Sequence, residues 1–228
     1  MRQIALDIGV DVSPTLDNFE VGDNAAALEH VQLWMAGSTR SPVPTYVWGE
    51  QGCGKSHVLK AVAQAITSQG HTVGWLDASI SEPSAFDTQW DVVLMDDVQA
   101  YSAVQQHAAF NWFVHAATPG SARQPWVLAA GLLPPQDLPL REDLRTRLGW
   151  GHVFHLQVLG ENERRAVLVR HAQALGMTLN TDLLDYLLSR FSRDLGHLID
   201  LLHRLDAFAL QTQRPLTIPL LRAMLDES

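Results

Sequence analysis

The octapeptide Gly49-Glu50-Gln51-Gly52-Cys53-Gly54-Lys55-Ser56 constrains what this chain folds into more than any other stretch. It reads G-x-x-x-x-G-K-S, the pattern of a phosphate-binding loop. Such a loop needs a strand before it and a helix after it. The apolar run Thr45-Tyr46-Val47-Trp48 precedes it, and Val58, Leu59, Val62, Ala63 and Ile66 follow at helical spacing. Gly49, Gly52 and Gly54 let successive backbone N–H groups close around phosphate oxygens, and the helix N-terminus adds a favourable dipole. In this reading Lys55 reaches the terminal phosphates and the Ser56 hydroxyl ligates Mg²⁺. Cys53 serves as a small residue within the loop. Lysine is otherwise scarce, with Lys60 the only other one.

A glycine-rich turn without a ligand would account for the loop alone, but the chain also carries the acidic partner that such a loop needs. Val92-Val93-Leu94-Met95-Asp96-Asp97 is an apolar run ending in two acids. It reads as a buried parallel strand that delivers carboxylates to its C-terminal edge, where ligands bind in open α/β sheets. Asp96 is placed to hold Mg²⁺ through water. Asp97 either orients an attacking water or forms a solvated turn.

Composition bounds the rest. At 228 residues and 46% hydrophobic, the chain suits one α/β domain with a smaller one appended. No apolar run is long enough for a membrane span, and the N-terminus lacks the layout of a signal peptide. A single cysteine excludes an internal disulfide framework and fits the reducing cytoplasm. The ten histidines show no metal-ligand spacing. The net charge is −9: residues 1–160 carry 8 basic against 16 acidic residues, and residues 161–228 carry 8 against 9. No stripe is basic enough to grip duplex DNA independently, so DNA contact is expected to be weak or indirect and a protein partner is the better match.

Periodicity gives the organisation. Residues 1–14 form an N-terminal tail. Asn24 is expected to cap a helix through Ala27, Leu28, Val31 and Leu33 to Gly37. Strands are expected at Thr45–Trp48, Thr72–Leu76, Val92–Met95, Trp126–Ala130 and Val153–Leu156, with helices after the loop, over Ala103–Ala117 and over Arg141–Leu148. Alternation of strand and helix implies a parallel sheet with right-handed crossovers over 15–158. From 159 to 228 the pattern is helical only, over Asn162–Leu175, Asp182–Phe191, Asp194–Gln211 and Ile218–Leu225. Thr181 and Thr217 are the expected caps. The fold class is thus an α/β P-loop domain, a parallel sheet flanked by helices, with a small C-terminal all-helical lid.

The ordered set of motifs resembles the AAA+ family, and within it the bacterial replication initiator DnaA and its short regulatory homologues. Thr15-Leu16-Asp17-Asn18-Phe19 with Val21-Gly22 resembles the family's adenine-packing segment, which implies nucleotide contacts for Phe19 and Val21. Gly49–His57 resembles its P-loop, which adds His57, and Val92–Gln99 its Walker B strand. Leu144-Arg145-Thr146-Arg147-Leu148-Gly149-Trp150-Gly151 resembles the box that carries an arginine finger, at Arg147, following the helical segment Arg141–Thr146. The ending Pro215-Leu216-Thr217-Ile218-Pro219 matches the lid of the short homologues. The chain ends at Ser228, where the initiator continues into a DNA-reading domain. Its opening Gln3-Ile4-Ala5-Leu6-Asp7-Ile8 resembles the peptide that plugs bacterial proteins into the β subunit sliding clamp. A Gln3 amide supplies hydrogen bonding, and Leu6 and Ile8 fill an apolar pocket.

Two departures from the family pattern matter. The strand Trp126–Ala130 should end in a polar residue facing the γ-phosphate, and here that place falls on Ala130-Gly131. The lid arginine is replaced at its best-matching position by Gly196, with Arg193 one turn earlier as a substitute. Losing such donors impairs hydrolysis in cis. The resemblance therefore implies a protein that holds ADP (or ATP) with Mg²⁺, has weak or no intrinsic ATPase, and acts on DnaA from a DNA-loaded clamp, with room for a homo-oligomer. The alternatives are an AAA+ ATPase that loads another replication protein and a DNA-binding initiator.

Overall fold

The structure, a computed structural model, describes residues 13–36, 43–117, 124–191 and 194–227. It divides into two compact units, Pro14–Val158 and the residues from Leu159 onward.

In the first unit, a 3₁₀ turn at Gly22–Asn24 leads into α1 (Ala25–Ala36). Then come β1 (Thr45–Trp48), α2 (Lys55–Ser68), β2 (Val73–Leu76) and β3 (Val92–Met95), followed by α3 (Ala103–Ala116), β4 (Trp126–Gly131), α4 (Glu142–Gly149) and β5 (His152–His155). All pairings are parallel and the strand order is β2-β3-β4-β1-β5. The short apolar runs form strands because both faces of the sheet are covered, which lets β3 be hydrophobic at every position. Tyr46, Val93 and Met95 enter one layer, with Trp112 and Leu144. Val47, Val92 and Leu94 enter the other, with Leu28 and Leu59. Burial of this kind contributes roughly 25 cal/mol per Å² of apolar surface. Strand order then sets the site: β4 lies between the strand that leads into the P-loop and the strand that ends in Asp96.

Two expectations about helix starts are corrected. Asn24 does not cap α1. It is buried, and both halves of its amide are used across the fold: Nδ2 donates to the Gln157 carbonyl (3.0 Å) and Oδ1 accepts from the Gln157 amide (2.7 Å). An Asn side chain matches a peptide unit, so it extends the pairing beyond the end of β5. The strand bounds also shift by a residue or so. Thr72 lies just before β2, its amide donating to the Asp91 carboxylate at 2.9 Å.

The second unit holds α5 (Glu161–Ala174), α6 (Thr181–Arg190), α7 (Leu195–Thr212) and α8 (Ile218–Asp226). Their apolar stripes close on one cluster that includes Leu168, Leu187, Leu198, Leu202, Leu205 and Leu221. Thr217 caps α8 as expected, its hydroxyl accepting from the Leu220 amide at 3.4 Å. Thr181 is instead the first helical residue of α6. The cap is Asn180, whose Oδ1 accepts from the Leu183 amide at 2.8 Å, because an Asn carbonyl competes well for this role. Among the described residues no helix is long and apolar enough to cross a membrane.

Candidate functional site: a P-loop beside a carboxylate-ended strand

The loop leaves β1 at Gly49, whose amide donates to the Gly131 carbonyl at 3.2 Å. Gly52 and Gly54 adopt φ of 81° and 96°, a left-handed conformation that costs other L-residues roughly 1 kcal/mol or more. At Gly54 a side chain is excluded for a second reason: a Cβ would lie 2.5 Å from the Phe19 ring. Phe19 also meets the His57 ring edge-on, with centroids 5.5 Å apart, and His57 Nε2 hydrogen-bonds the Thr15 carbonyl at 2.9 Å. The structure thus brings Phe19 and His57 onto the loop's helix-proximal side. Burial lowers the His57 pKa, with the Thr15 contact opposing and the Lys60 charge adding to the effect. Val21 is 40% exposed and precedes the 3₁₀ turn.

Lys55 is buried, and its ammonium donates to the carbonyls of Gly49 (2.8 Å) and Glu50 (2.9 Å). Its third contact is the Cys53 sulfur at 3.6 Å. Cys53 is therefore more than a small spacer, since its buried thiol touches the ammonium. Ser56, in the first turn of α2, hydrogen-bonds Asp96. Asp96 follows β3 and is buried, and its Oδ1 accepts from the Asp97 amide at 3.0 Å. Burial raises the Asp96 pKa. The Ser56 hydrogen bond opposes this, the Asp97 charge adds to it, and the Asp97 amide and Lys55 oppose it more weakly. A hydroxyl and a carboxylate in contact are hard oxygen donors of the kind Mg²⁺ takes when nucleotide phosphates and water complete its shell. Ser56 and Asp96 fit that role. No group of three His, Cys, Asp or Glu converges elsewhere among the described residues.

Asp97 is exposed and takes φ of 51°. Its Oδ1 accepts from Gln99 Nε2 at 3.2 Å, and Gln99 Oε1 accepts from the Leu132 amide at 2.9 Å. Sequence reading missed Gln99 as a site residue, although it falls inside the motif that ends β3. At the tip of β4, Ala130 is buried and offers only backbone, as does Gly131.

Arg147 lies inside α4, whose last turn runs on to Gly149, rather than after a shorter helix. Leu144 and Leu148 are buried on the same helix and anchor it, and this leaves Arg147 half-exposed at its C-terminal end, where a cation is favoured. Its guanidinium lies 5.2 Å from the Phe110 ring centroid on α3, and Arg141 lies 5.6 Å from the same ring. Arg141 is also paired with Asp143 at 2.6 Å. No carboxylate pairs with Arg147 among the described residues. Phe110 was the residue that periodicity had no means to single out. In the lid, Gly196 sits in the first turn of α7, its amide donating to the capping Asp194 at 2.9 Å. Gln3, Leu6, Ile8 and Arg193 lie outside the described residues.

Residues 161–225 match the family model for the lid domain of Hda. The fold is similar to that of domain III of the replication initiation protein DnaA from Thermotoga maritima. That match covers 93% of this chain and 95% of the other, at 18% identity and a TM-score of 0.72. An AMPPCP-bound DnaA from Aquifex aeolicus matches at 20% identity and TM-score 0.65, over 87% of this chain and 65% of that one. The RuvB Holliday junction branch migration motor of Thermotoga maritima matches at 12% identity and TM-score 0.66, over 93% and 71% of the two chains. The C-terminal helical unit is thus similar to the lid domain of Hda, and the chain as a whole shares the fold of DnaA domain III.

Proposed function

We propose that this protein is a nucleotide-bound regulator of replication initiation that switches off DnaA in trans. The P-loop residues Gly49–Ser56 hold the phosphates of ADP or ATP, with Ser56 and Asp96 as the Mg²⁺ partners and Phe19, Val21 and His57 beside the nucleoside. The AMPPCP-bound DnaA relatives support a nucleotide at this loop. With no side-chain donor at Ala130 or Gly131, and Gly196 at the lid position, the site retains nucleotide and turns it over slowly. Residues Gln3, Leu6 and Ile8 attach the chain to the DNA-loaded sliding clamp. That attachment brings its AAA+ domain to ATP-bound DnaA at high local concentration.

In the shared reaction Arg147 supplies a guanidinium to the ATP site of DnaA. Charge spreads over the transferring phosphoryl oxygens in the transition state, and a planar two-pronged cation stabilises it. DnaA is left with ADP, and re-initiation is blocked. The observation that carries this reading is the state of Arg147: half-exposed at a helix end, resting on an aromatic ring, with no acidic partner among the described residues. An arginine serving only an ordinary surface ion pair would show such a partner.

The experiment is a reconstituted DnaA ATPase assay with clamp-loaded DNA. Arg147→Ala is expected to bind ADP and the clamp like the parent, yet lose stimulation by on the order of 10³-fold. Arg147→Lys is not expected to restore it. Full stimulation by Arg147→Ala, with loss in Arg145→Ala, would move the finger to Arg145. Full stimulation by both would end the trans mechanism.

A further inference from the structure

The C-terminal tip of β4 lies between the strand that opens into the P-loop and the strand that ends in Asp96. This tip touches the start of the loop, the Gly49 amide donating to the Gly131 carbonyl at 3.2 Å, yet β4 itself presents only Ala130 and Gly131 there. At Gly131 the structure excludes any side chain. A Cβ at Gly131 would lie 2.3 Å from the Tyr46 hydroxyl, 3.0 Å from Val98 Cγ2 and 3.2 Å from Gln99 Oε1. Tyr46 is fully buried, and its hydroxyl is fixed by donating to the Leu133 carbonyl at 2.7 Å. The space that a side chain at 131 would fill is therefore already taken, in part by a carboxamide.

We propose that Gln99 is the residue with which this site recognises the terminal phosphate of a nucleoside triphosphate. Its carboxamide is oriented from both ends: Oε1 accepts from the Leu132 amide (2.9 Å) and Nε2 donates to Asp97 (3.2 Å). A carboxamide nitrogen has two N–H bonds. Asp97 takes one, and no described residue takes the second. Gln99 is partly exposed, so that donor is open to an anionic oxygen. Its partner Asp97 directly follows Asp96, the carboxylate that would meet Mg²⁺, so a phosphate bridged by that ion would come within reach of Gln99. This rests on the nucleotide reading above and deepens it: affinity for ADP comes from the loop, and preference between di- and triphosphate comes from Gln99.

Calorimetry with ADP and with AMPPCP, in the presence of Mg²⁺, tests this on the full chain carrying Gln99→Glu, Gln99→Ala or Lys55→Ala. Gln99→Glu keeps the size but removes the donor and adds a charge. It is expected to leave ADP affinity unchanged and to weaken AMPPCP binding about tenfold, the scale of one hydrogen bond to a charged group. Gln99→Ala is expected to act in the same direction, which covers the case of a misfolded Glu variant. Equal losses for both nucleotides, or no loss for either, would overturn the assignment and make Gln99 a structural clasp. A parent that binds neither nucleotide, or binds both as well after Lys55→Ala, would refute the P-loop reading itself.

Discussion

Replacing Gly131 by Ala tests the crowding at the tip of β4 most directly. The added methyl must displace the Tyr46 hydroxyl, which would stand 2.3 Å away, and press on Val98 at 3.0 Å. Tyr46 is fully buried in the layer with Val93 and Met95, so its ring has nowhere to move. Overpacking of this kind costs about 1–3 kcal/mol, and loss of the Tyr46–Leu133 hydrogen bond adds about 1 kcal/mol. Ala in a strand recovers roughly 0.5–1 kcal/mol of backbone entropy relative to Gly, which leaves a net loss of about 1–3 kcal/mol. Tyr46→Phe removes the obstructing oxygen at the cost of its one hydrogen bond, about 1 kcal/mol. Once that oxygen is gone, Gly131→Ala should cost little more, so the double mutant is expected near Tyr46→Phe alone. The coupling energy is therefore about 1–3 kcal/mol, well above the scatter of independent sites. All seven tryptophans lie between Trp34 and Trp150, in the core unit. Urea denaturation followed by tryptophan fluorescence thus reports that unit without the lid. A cycle that is additive, or a Gly131→Ala variant as stable as the parent, would refute the claim that Tyr46 dictates glycine at 131.

Four further outcomes are expected. Asn24→Ala removes the two cross-fold hydrogen bonds that a buried side chain makes to the Gln157 backbone; it should lower core-unit stability by about 1–3 kcal/mol in the same fluorescence assay. His57 has a folded-state pKa below its unfolded value, so its neutral form favours the fold; that contribution is present above the unfolded pKa and is lost as pH falls from there through the folded one. Core-unit stability compared at pH 7.5 and 5.5 (about one unit either side of the ordinary His pKa) should therefore drop less in His57→Gln than in the parent, and equal drops would count against His57. Lys55→Ala should abolish ADP binding by calorimetry. Gln3→Ala with Leu6→Ala should remove binding to purified sliding clamp while leaving ADP affinity unchanged, and unchanged clamp affinity would reject that motif.

How much of this was legible beforehand follows from what each signal depends on. The P-loop and β3 were readable because their chemistry is local. The glycines, Lys55 and Ser56 are consecutive, and a run such as Val92–Met95 is apolar throughout only where both sheet faces are covered. The lid helices were readable to within a residue or so because their leucines repeat at helical spacing around one cluster. Asn24 misled because the same side chain serves equally as a cap or as a stand-in for a peptide group, and only the arrival of Gln157, 133 residues later, decides between them. Thr181 lost the cap to Asn180 for a smaller reason: both are capping residues, and their order in the chain does not say which one turns out of the helix. Gln99 and Phe110 were invisible because their roles arise across the fold. Gln99 meets Leu132, and Phe110 underlies Arg147 and Arg141. Both partnerships join residues more than thirty positions apart, through contacts that no spacing rule encodes. The same reasoning explains the glycine at 131. It looked like a lost functional residue, yet a tyrosine hydroxyl on the neighbouring strand occupies the place of its side chain, so at this position the departure from the family pattern coincides with the packing of the core.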